Sequence, residues 1–172
     1  INVSLKPFSF TTFGKAEKIK DVPRSQSRLI LENQLVKYEF NDNGTLKVAY
    51  DKELKLNFLK NNGNVLSLYE DRPLNWDAWD IDFYYKESLL ETASVRSINK
   101  VVNGNVCSAL EISYIIGNSK INQQITLANN SKRLDFNTSV NWSEKHKMLR
   151  VHFSTNIQSE QASYDIQYGY VK

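Results

Sequence analysis

Residues 106–127, VCSALEISYIIGNSKINQQITL, place apolar side chains at alternate positions on both sides of a Gly-Asn-Ser turn. Before the turn the apolar face carries Val106, Leu110, Ile112, Tyr114 and Ile116, and after it the face carries Ile121, Gln123, Ile125 and Leu127. Strict alternation is typical of a strand with one buried and one solvated face. A short turn joins antiparallel neighbours. The stretch therefore predicts two long, antiparallel strands.

The same period of two recurs along the chain, while helical periodicity is nearly absent. We predict further strands over residues 29–32, 35–41, 45–50, 65–69, 89–102, 133–142 and 148–155. Turns rich in Asn and Gly separate many of them. The inward side chains of the last two strands are predicted to be Leu134, Phe136, Thr138, Val140 and Trp142, then Leu149, Val151 and Phe153. The fold class is therefore all-β, a large antiparallel β-sandwich.

The bulk composition bounds the class of protein. A chain of 172 residues is long enough for one substantial core. The net charge of +3 is slight and its basic residues are scattered, which predicts no nucleic-acid partner. No apolar run reaches the roughly 18 residues that a membrane span needs, so no membrane partner is expected. Cys107 stands alone and is interpreted as a small buried hydrophobe. The lack of an internal disulfide fits a cytoplasmic location.

Both ends of the chain read as cuts from a longer protein. Residues 1–27 are predicted to be a leading strand followed by a charged linker from a preceding region, and residues 28–172 form the sandwich. The chain begins without Met and stops within the strand-like stretch DIQYGYVK. We therefore expect the sandwich to be incomplete.

The stretch WDAWDIDFYY, residues 76–85, is the best candidate for chemistry, because it combines five aromatic rings with three Asp. Rings cover the apolar faces of a sugar, and carboxylates accept hydrogen bonds from its hydroxyl groups. The candidate contact residues are Asp77, Trp79, Asp80, Asp82 and Tyr84. Two interpretations stay open. Trp76 and Trp79 fill the core or a domain interface while the Asp residues cap turns, or at least one of these residues faces a sugar.

The chain carries no recognisable catalytic constellation of its own. His146 and His152, with Glu144 between the strands, match no standard metal-ligand spacing, and two lysines flank His146. Both histidines are interpreted as structural or surface residues. We expect neither catalytic residues nor a metal site in this chain.

Four blocks carry a family resemblance. They are LENQLVKYEFNDNGTLKVAYDKE (31–53), GNVLSLYEDRPLNWDAWDID (63–82), LDFNTSVNWSEKHKMLRVHF (134–153) and ASYDIQYGYV (162–171). In this order they resemble the C-terminal β region of the family 38 α-mannosidases, in the form typical of the bacterial and cytosolic branch. The WDAWDID and W-x-E-x-H-K-M-L patterns are the specific ones. Asn141 stands where Asp is common, and Asp165 stands where Glu is common.

The resemblance implies a fold and a parent activity. The fold is the galactose-mutarotase-like supersandwich, and the parent enzyme hydrolyses α-mannosidic bonds with retention. Its Asp nucleophile, its acid/base Asp and its zinc belong to an N-terminal catalytic barrel, so no cofactor is expected here. The implied partners are that barrel and mannose-containing glycans. We expect an accessory β domain that is inactive alone. A free-standing carbohydrate-binding module and a plain interaction domain are the alternatives.

Overall fold

The computed structural model describes residues 29–172 and, ahead of them, Pro7. The leading strand and linker predicted for residues 1–27 otherwise lie outside the described residues. Thirteen strands follow one another in the described part, with a 3₁₀ helix at Phe83–Glu87 between the fifth and the sixth. The strands are β1 (Ile30–Glu32), β2 (Val36–Phe40), β3 (Leu46–Asp51), β4 (Leu56–Asn57), β5 (Val65–Glu70), β6 (Leu89–Thr92), β7 (Ser94–Asn103), β8 (Cys107–Ile116), β9 (Ser119–Ala128), β10 (Leu134–Asn141), β11 (Lys147–His152), β12 (Tyr164–Ile166) and β13 (Gly169–Val171).

These strands form four antiparallel sheets. The first sheet runs in chain order from β1 to β4, and the second has the order β10-β9-β8-β7. In the third sheet β5 lies between β11 and β6, while β12 and β13 pair as a separate hairpin. All strand pairs are antiparallel, which confirms the predicted all-β sandwich class.

Two glycines make the tight turns that the sequence predicted. Gly44, between β2 and β3, has φ of 76°, and its amide donates to the carbonyl of Asn41 at 2.9 Å. Gly117, between β8 and β9, has φ of 56°. This left-handed conformation is one that glycine adopts without steric cost. The strands on either side are thereby held in the register that brings Ile112 opposite Gln123.

The core lies between the first sheet and the strands β8 and β9. The apolar side chains predicted for the β8–β9 hairpin are buried from Leu110 to Leu127, as is Gln123 among them, whereas Val106, which precedes β8, is half-buried. Strand β1 contacts both β8 and β9. Across the same gap the side-chain amide of Asn33 donates to the carbonyls of Ala128 and Ser131, each at 2.8 Å. The buried cluster comprises Leu31, Val36, Phe40, Leu46, Ala49, Leu59, Leu66, Leu68, Leu110, Ile112, Tyr114, Ile116, Ile121, Ile125 and Leu127.

The single strand predicted over residues 89–102 is wrong. The segment is divided at Ala93, because β6 pairs with β5 in the third sheet whereas β7 pairs with β8 in the second. The amide of Ala93 donates to the carbonyl of Leu66 at 2.9 Å at this corner. Strands that change sheets bend in this way where two sheets meet. Alternation of side chains does not reveal which sheet each half joins.

The inward faces predicted for β10 and β11 are only partly buried. Leu134, Phe136 and Leu149 pack against the core. The remaining predicted inward side chains are exposed, namely Thr138, Val140, Trp142, Val151 and Phe153. Alternation identifies which side chains share a face. It does not show whether other residues pack over that face, and the described residues leave these five side chains exposed. Cys107 is likewise half-buried rather than buried.

Candidate functional site

The candidate site is the connection between β5 and β6, residues 71–88, which we call the aromatic loop. Its base is closed by backbone hydrogen bonds. The amide of Glu70 donates to the carbonyl of Ser88 at 3.0 Å, and the amide of Asp71 donates to the carbonyl of His146 at 2.8 Å. Because β5 and β6 are antiparallel neighbours, the loop leaves and re-enters the same end of the third sheet.

Asp82 holds the two halves of the loop together. Its Oδ2 accepts hydrogen bonds from the backbone amide of Leu74 at 2.8 Å and from the Tyr84 hydroxyl at 2.6 Å. The Tyr84 hydroxyl also lies 3.2 Å from the carbonyl of Arg72. The Tyr84 hydrogen bond, and after it the Leu74 amide, lowers the pKa of Asp82 below its usual 3.8. The same bond raises the pKa of Tyr84 above 10.0. Asp82 therefore acts as an ionised acceptor inside the loop.

A tight turn over residues 76–80, which we call the outer turn, forms the outer part of the loop. Trp76 has φ of 63°, and its carbonyl accepts from the amides of Trp79 at 2.7 Å and Asp80 at 3.0 Å. The Asp80 carboxylate accepts in turn from the amide of Ile81 at 2.9 Å. This turn leaves the Trp76 side chain 74% exposed and that of Trp79 89% exposed. Both indole faces are thus available to a partner.

Tyr85 fixes the loop to the sheet beneath it. Its ring packs edge-on against Tyr69, with centroids 5.5 Å apart and planes at 84°. The guanidinium carbon of Arg150, on β11, lies 4.8 Å from the centre of the same ring. The Tyr69 hydroxyl is hydrogen-bonded to Nε2 of His152 at 3.1 Å. Aromatic pairing and a cation over a ring face both stabilise this arrangement. The loop that carries the exposed rings of Trp76 and Trp79 is thus attached to the third sheet through Tyr85.

The comparison with known families identifies the region. A family model described as the "Glycosyl hydrolases family 38 C-terminal domain" matches residues 31–172. The chain belongs to this family. Its aromatic loop therefore lies within a family 38 C-terminal domain, as the four sequence blocks predicted.

Curated relatives carry the same segment within much longer proteins. "Alpha-mannosidase G" of Dictyostelium discoideum is 34% identical over 153 residues, which cover 84% of this chain and 14% of the relative. "Alpha-mannosidase 2C1" of Mus musculus is 36% identical over 115 residues, which cover 64% of this chain and 11% of the relative. "Alpha-mannosidase" of Saccharomyces cerevisiae is 31% identical over 137 residues, covering 74% of this chain and 12% of the relative. The chain thus spans a small part of the relatives it matches.

The structure separates the predicted contact residues of this family 38 domain into two groups. Asp77, Trp79 and Asp80 lie on the exposed outer turn, whereas Asp82 and Tyr84 bond to one another inside the loop. Trp76 and Trp79 do not fill the core of the described domain, so that part of the prediction is wrong. The interface and sugar-facing interpretations remain.

Sequence reasoning missed the anchor beneath the loop. Tyr85 stood within the aromatic stretch but was not chosen, and Arg150 lay in a strand 65 positions further on. The only signal available was that Arg150 lies between the apolar residues Leu149 and Val151, directly after the K-M-L motif. Its contact with Tyr85 depends on the pairing of β11 with β5, which alternation does not specify.

The described residues do not fit a zinc site. Residues 29–172 contain no group of three or more His, Cys, Asp or Glu side chains that could hold a metal ion. His152 is occupied by Tyr69, and His146 lies in a turn with φ of 50°. The Glu144 carboxylate accepts from the amide of Asn118 and from the Lys147 ammonium group. The side chains of His152 and Glu144 thus form hydrogen bonds within the fold. Residues 29–172 also contain no helix that could span a bilayer.

Proposed function

We propose that this chain is the accessory β region of an α-mannosidase, a glycoside hydrolase that cleaves α-mannosidic bonds in mannosides and oligosaccharides. The observation that carries the proposal is the match of residues 31–172 to the family 38 C-terminal domain. It is supported by relatives named α-mannosidases, of which this chain spans only 14% or less. In this proposal a zinc-dependent, retaining catalytic barrel belongs to the same polypeptide, and the protein acts in the cytoplasm.

The carboxylates of the aromatic loop support a non-catalytic role for the chain alone. Retaining hydrolysis needs two carboxyl groups about 5–5.5 Å apart on either side of the scissile bond, one of them kept protonated as an acid. Asp82 is unsuited to donate a proton, because its hydrogen bonds with Tyr84 and Leu74 lower its pKa. Asp77 and Asp80 lie exposed on the outer turn, where the described residues do not enclose them.

The exposed rings support a partner for the outer turn. Contiguous apolar surface on a folded domain marks a site for a partner or a ligand. In the aromatic loop the exposed large apolar side chains include Leu74, Trp76, Trp79, Ile81 and Phe83. Asp77 and Asp80 lie beside them and supply hydrogen-bond acceptors. We propose that this turn packs against the catalytic barrel and contributes Asp77, Trp79 or Asp80 to the mannose-binding rim.

The direct test is an aryl α-mannoside hydrolysis assay on the full-length polypeptide and on residues 1–172 alone, both with zinc added. Circular dichroism of the shorter chain is the control that it is folded. We expect turnover in the full-length polypeptide and none in the folded shorter chain. Turnover by the shorter chain would show that a catalytic site lies within it and would overturn the accessory-domain assignment.

A carbohydrate-binding module is the second candidate function, favoured by the exposure of Trp76 and Trp79. Such a platform stacks on sugar rings without any neighbouring domain. The discriminating measurement is retention of the folded chain on immobilised mannan, with Trp79→Ala as the control. Retention that is lost in the variant supports the module. If the folded chain is not retained on mannan, the result supports the catalytic barrel as the partner of the aromatic loop.

A further inference from the structure

A polar cavity lies at the end of β5 remote from the aromatic loop. Its volume is about 130 Å³, and its walls include Asn43, Thr45, Asn62, Asn64, Ala93 and Tyr114. Ala93 is the corner at which the chain passes from the third sheet to the second. The cavity therefore lies where the first three sheets meet.

Asn64 is the residue that makes this cavity unusual. Its side chain is 1% exposed and its backbone has φ of 51°, a left-handed conformation that non-glycine residues adopt rarely. Its Nδ2 donates to Gln123 Oε1 at 2.8 Å and lies 3.2 Å from the Gly44 carbonyl and 3.3 Å from the Tyr114 hydroxyl. Asn is among the non-glycine residues that adopt this conformation most readily.

The neighbours of Asn64 fix the orientation of its amide. The Gly44 carbonyl can only accept, so a reversed amide would place two oxygen acceptors about 3.2 Å apart. The Tyr114 hydroxyl donates to the same carbonyl at 3.1 Å, and Gln123 donates its own amide to Thr138 at 3.0 Å. Asn64 Oδ1 is consequently left buried and without a hydrogen-bond partner among the described residues.

The size and polarity of the cavity define the ligand. Pockets that enclose drug-sized ligands have volumes of roughly 300–1,000 Å³, which is well above this one. A water molecule needs only about 10–15 Å³ of such space, and cavities with polar walls hold water whereas apolar ones stay dry. The amides of Asn43 and Asn62 at the exposed side offer further hydrogen bonds.

We propose that this cavity is a binding site for ordered water, in which one molecule donates a hydrogen bond to Asn64 Oδ1. The bound water completes a polar network that runs from the β2–β3 turn at Gly44, through Asn64 and Tyr114, to Gln123 on β9 and Thr138 on β10. Water is thus a structural ligand that joins the three sheets at the corner beside Ala93.

The test is a crystal structure of the full-length polypeptide at a resolution that orders single waters, from crystals frozen without glycols or glycerol. We expect a solvent peak about 2.7–3.2 Å from Asn64 Oδ1, with a second polar contact inside the cavity. A second data set from xenon-pressurised crystals is expected to show no xenon there, because the cavity is already hydrated. An empty cavity, xenon within it, or a protein donor bonded to Oδ1 would each overturn the proposal.

Discussion

The Tyr84 hydroxyl donates to Asp82 at 2.6 Å, and the same carboxylate oxygen accepts from the backbone amide of Leu74. One ionised side chain thereby links the beginning of the aromatic loop to the 3₁₀ helix near its end. Replacing Asp82 with Asn weakens both bonds, because a hydrogen bond to a charged acceptor is stronger than one to a neutral acceptor. We expect faster hydrogen exchange at the Leu74 amide in the D82N full-length polypeptide.

The control for that variant is Asp77→Asn, since the Asp77 carboxylate accepts no hydrogen bond within the described chain. The lowered pKa of Asp82 also fixes the effect of pH. Its stabilising contribution is complete above the unfolded pKa and is lost as the pH falls through the lower folded value. Protection of the Leu74 amide, corrected for intrinsic exchange, is thus expected to fall in acid for the wild type and much less for D82N. Equal protection in both proteins contradicts this role.

Tyr85 is expected to set the stability of the whole aromatic loop. Replacing it with Ala removes the edge-on contact with Tyr69 and the ring beneath Arg150. The expected loss is about 1–3 kcal/mol in the free energy of local opening. Hydrogen exchange of residues 71–88 measures it. Tyr85→Phe keeps the ring and is predicted to exchange like the wild type, so a similar loss in both variants would argue against ring packing as the anchor.

Tyr114 is expected to make stability fall in alkali. Burial raises the pKa of its hydroxyl from 10.0 to about 12. A raised folded pKa means that stability is complete below pH 10 and is lost as the pH rises towards 12, because the unfolded chain releases the proton first. Two pKa units correspond to roughly 2–3 kcal/mol once the hydroxyl is ionised in both states, and about half of this is lost by pH 11. Urea unfolding at pH 8 and pH 11 measures the fall. Tyr114→Phe is expected to lose less stability over this interval, and a parallel loss in both proteins contradicts the prediction.

Gly44 is predicted to be intolerant of any side chain. A Cβ there would lie 2.5 Å from the Tyr114 hydroxyl oxygen, and the residue has φ of +76°. Gly44→Ala is expected to cost about 1–2 kcal/mol from the left-handed backbone alone, with a further loss from the clash. Gly169→Ala is the matched control, because a Cβ at that position meets no atom within 4 Å. A chemical denaturation midpoint that shifts equally in both variants would refute the prediction.

Much of the fold was accessible from the sequence because its strands follow local rules. Alternation located β8 and β9, and Gly44 and Gly117 marked the turns after β2 and β8 through a local conformational requirement. The break at Ala93 was not accessible, because it depends on which sheet each half of the segment joins. Such pairings are between residues distant in the chain.

The sequence predicted the residue types of the candidate site but not how they are arranged. The residue types of the outer turn pointed to an aromatic and acidic surface before its geometry was known. Trp79 is exposed while Asp82 accepts hydrogen bonds within the loop, and this difference follows from the backbone turn at Trp76. No local sequence pattern indicated the positive φ of Trp76. The polar cavity escaped notice for a similar reason, since Asn64 and Tyr114 are 50 positions apart.

The most direct test of the account concerns Trp79 in the full-length polypeptide. We predict that Trp79→Ala lowers kcat/KM for an aryl α-mannoside by about tenfold or more, which corresponds to about 1.4 kcal/mol, while the unfolding midpoint stays unchanged. Leu54→Ala is the control, because Leu54 is 61% exposed between β3 and β4 of the first sheet. Wild-type turnover in the folded Trp79→Ala protein would contradict the claim that the aromatic loop acts on the catalytic region.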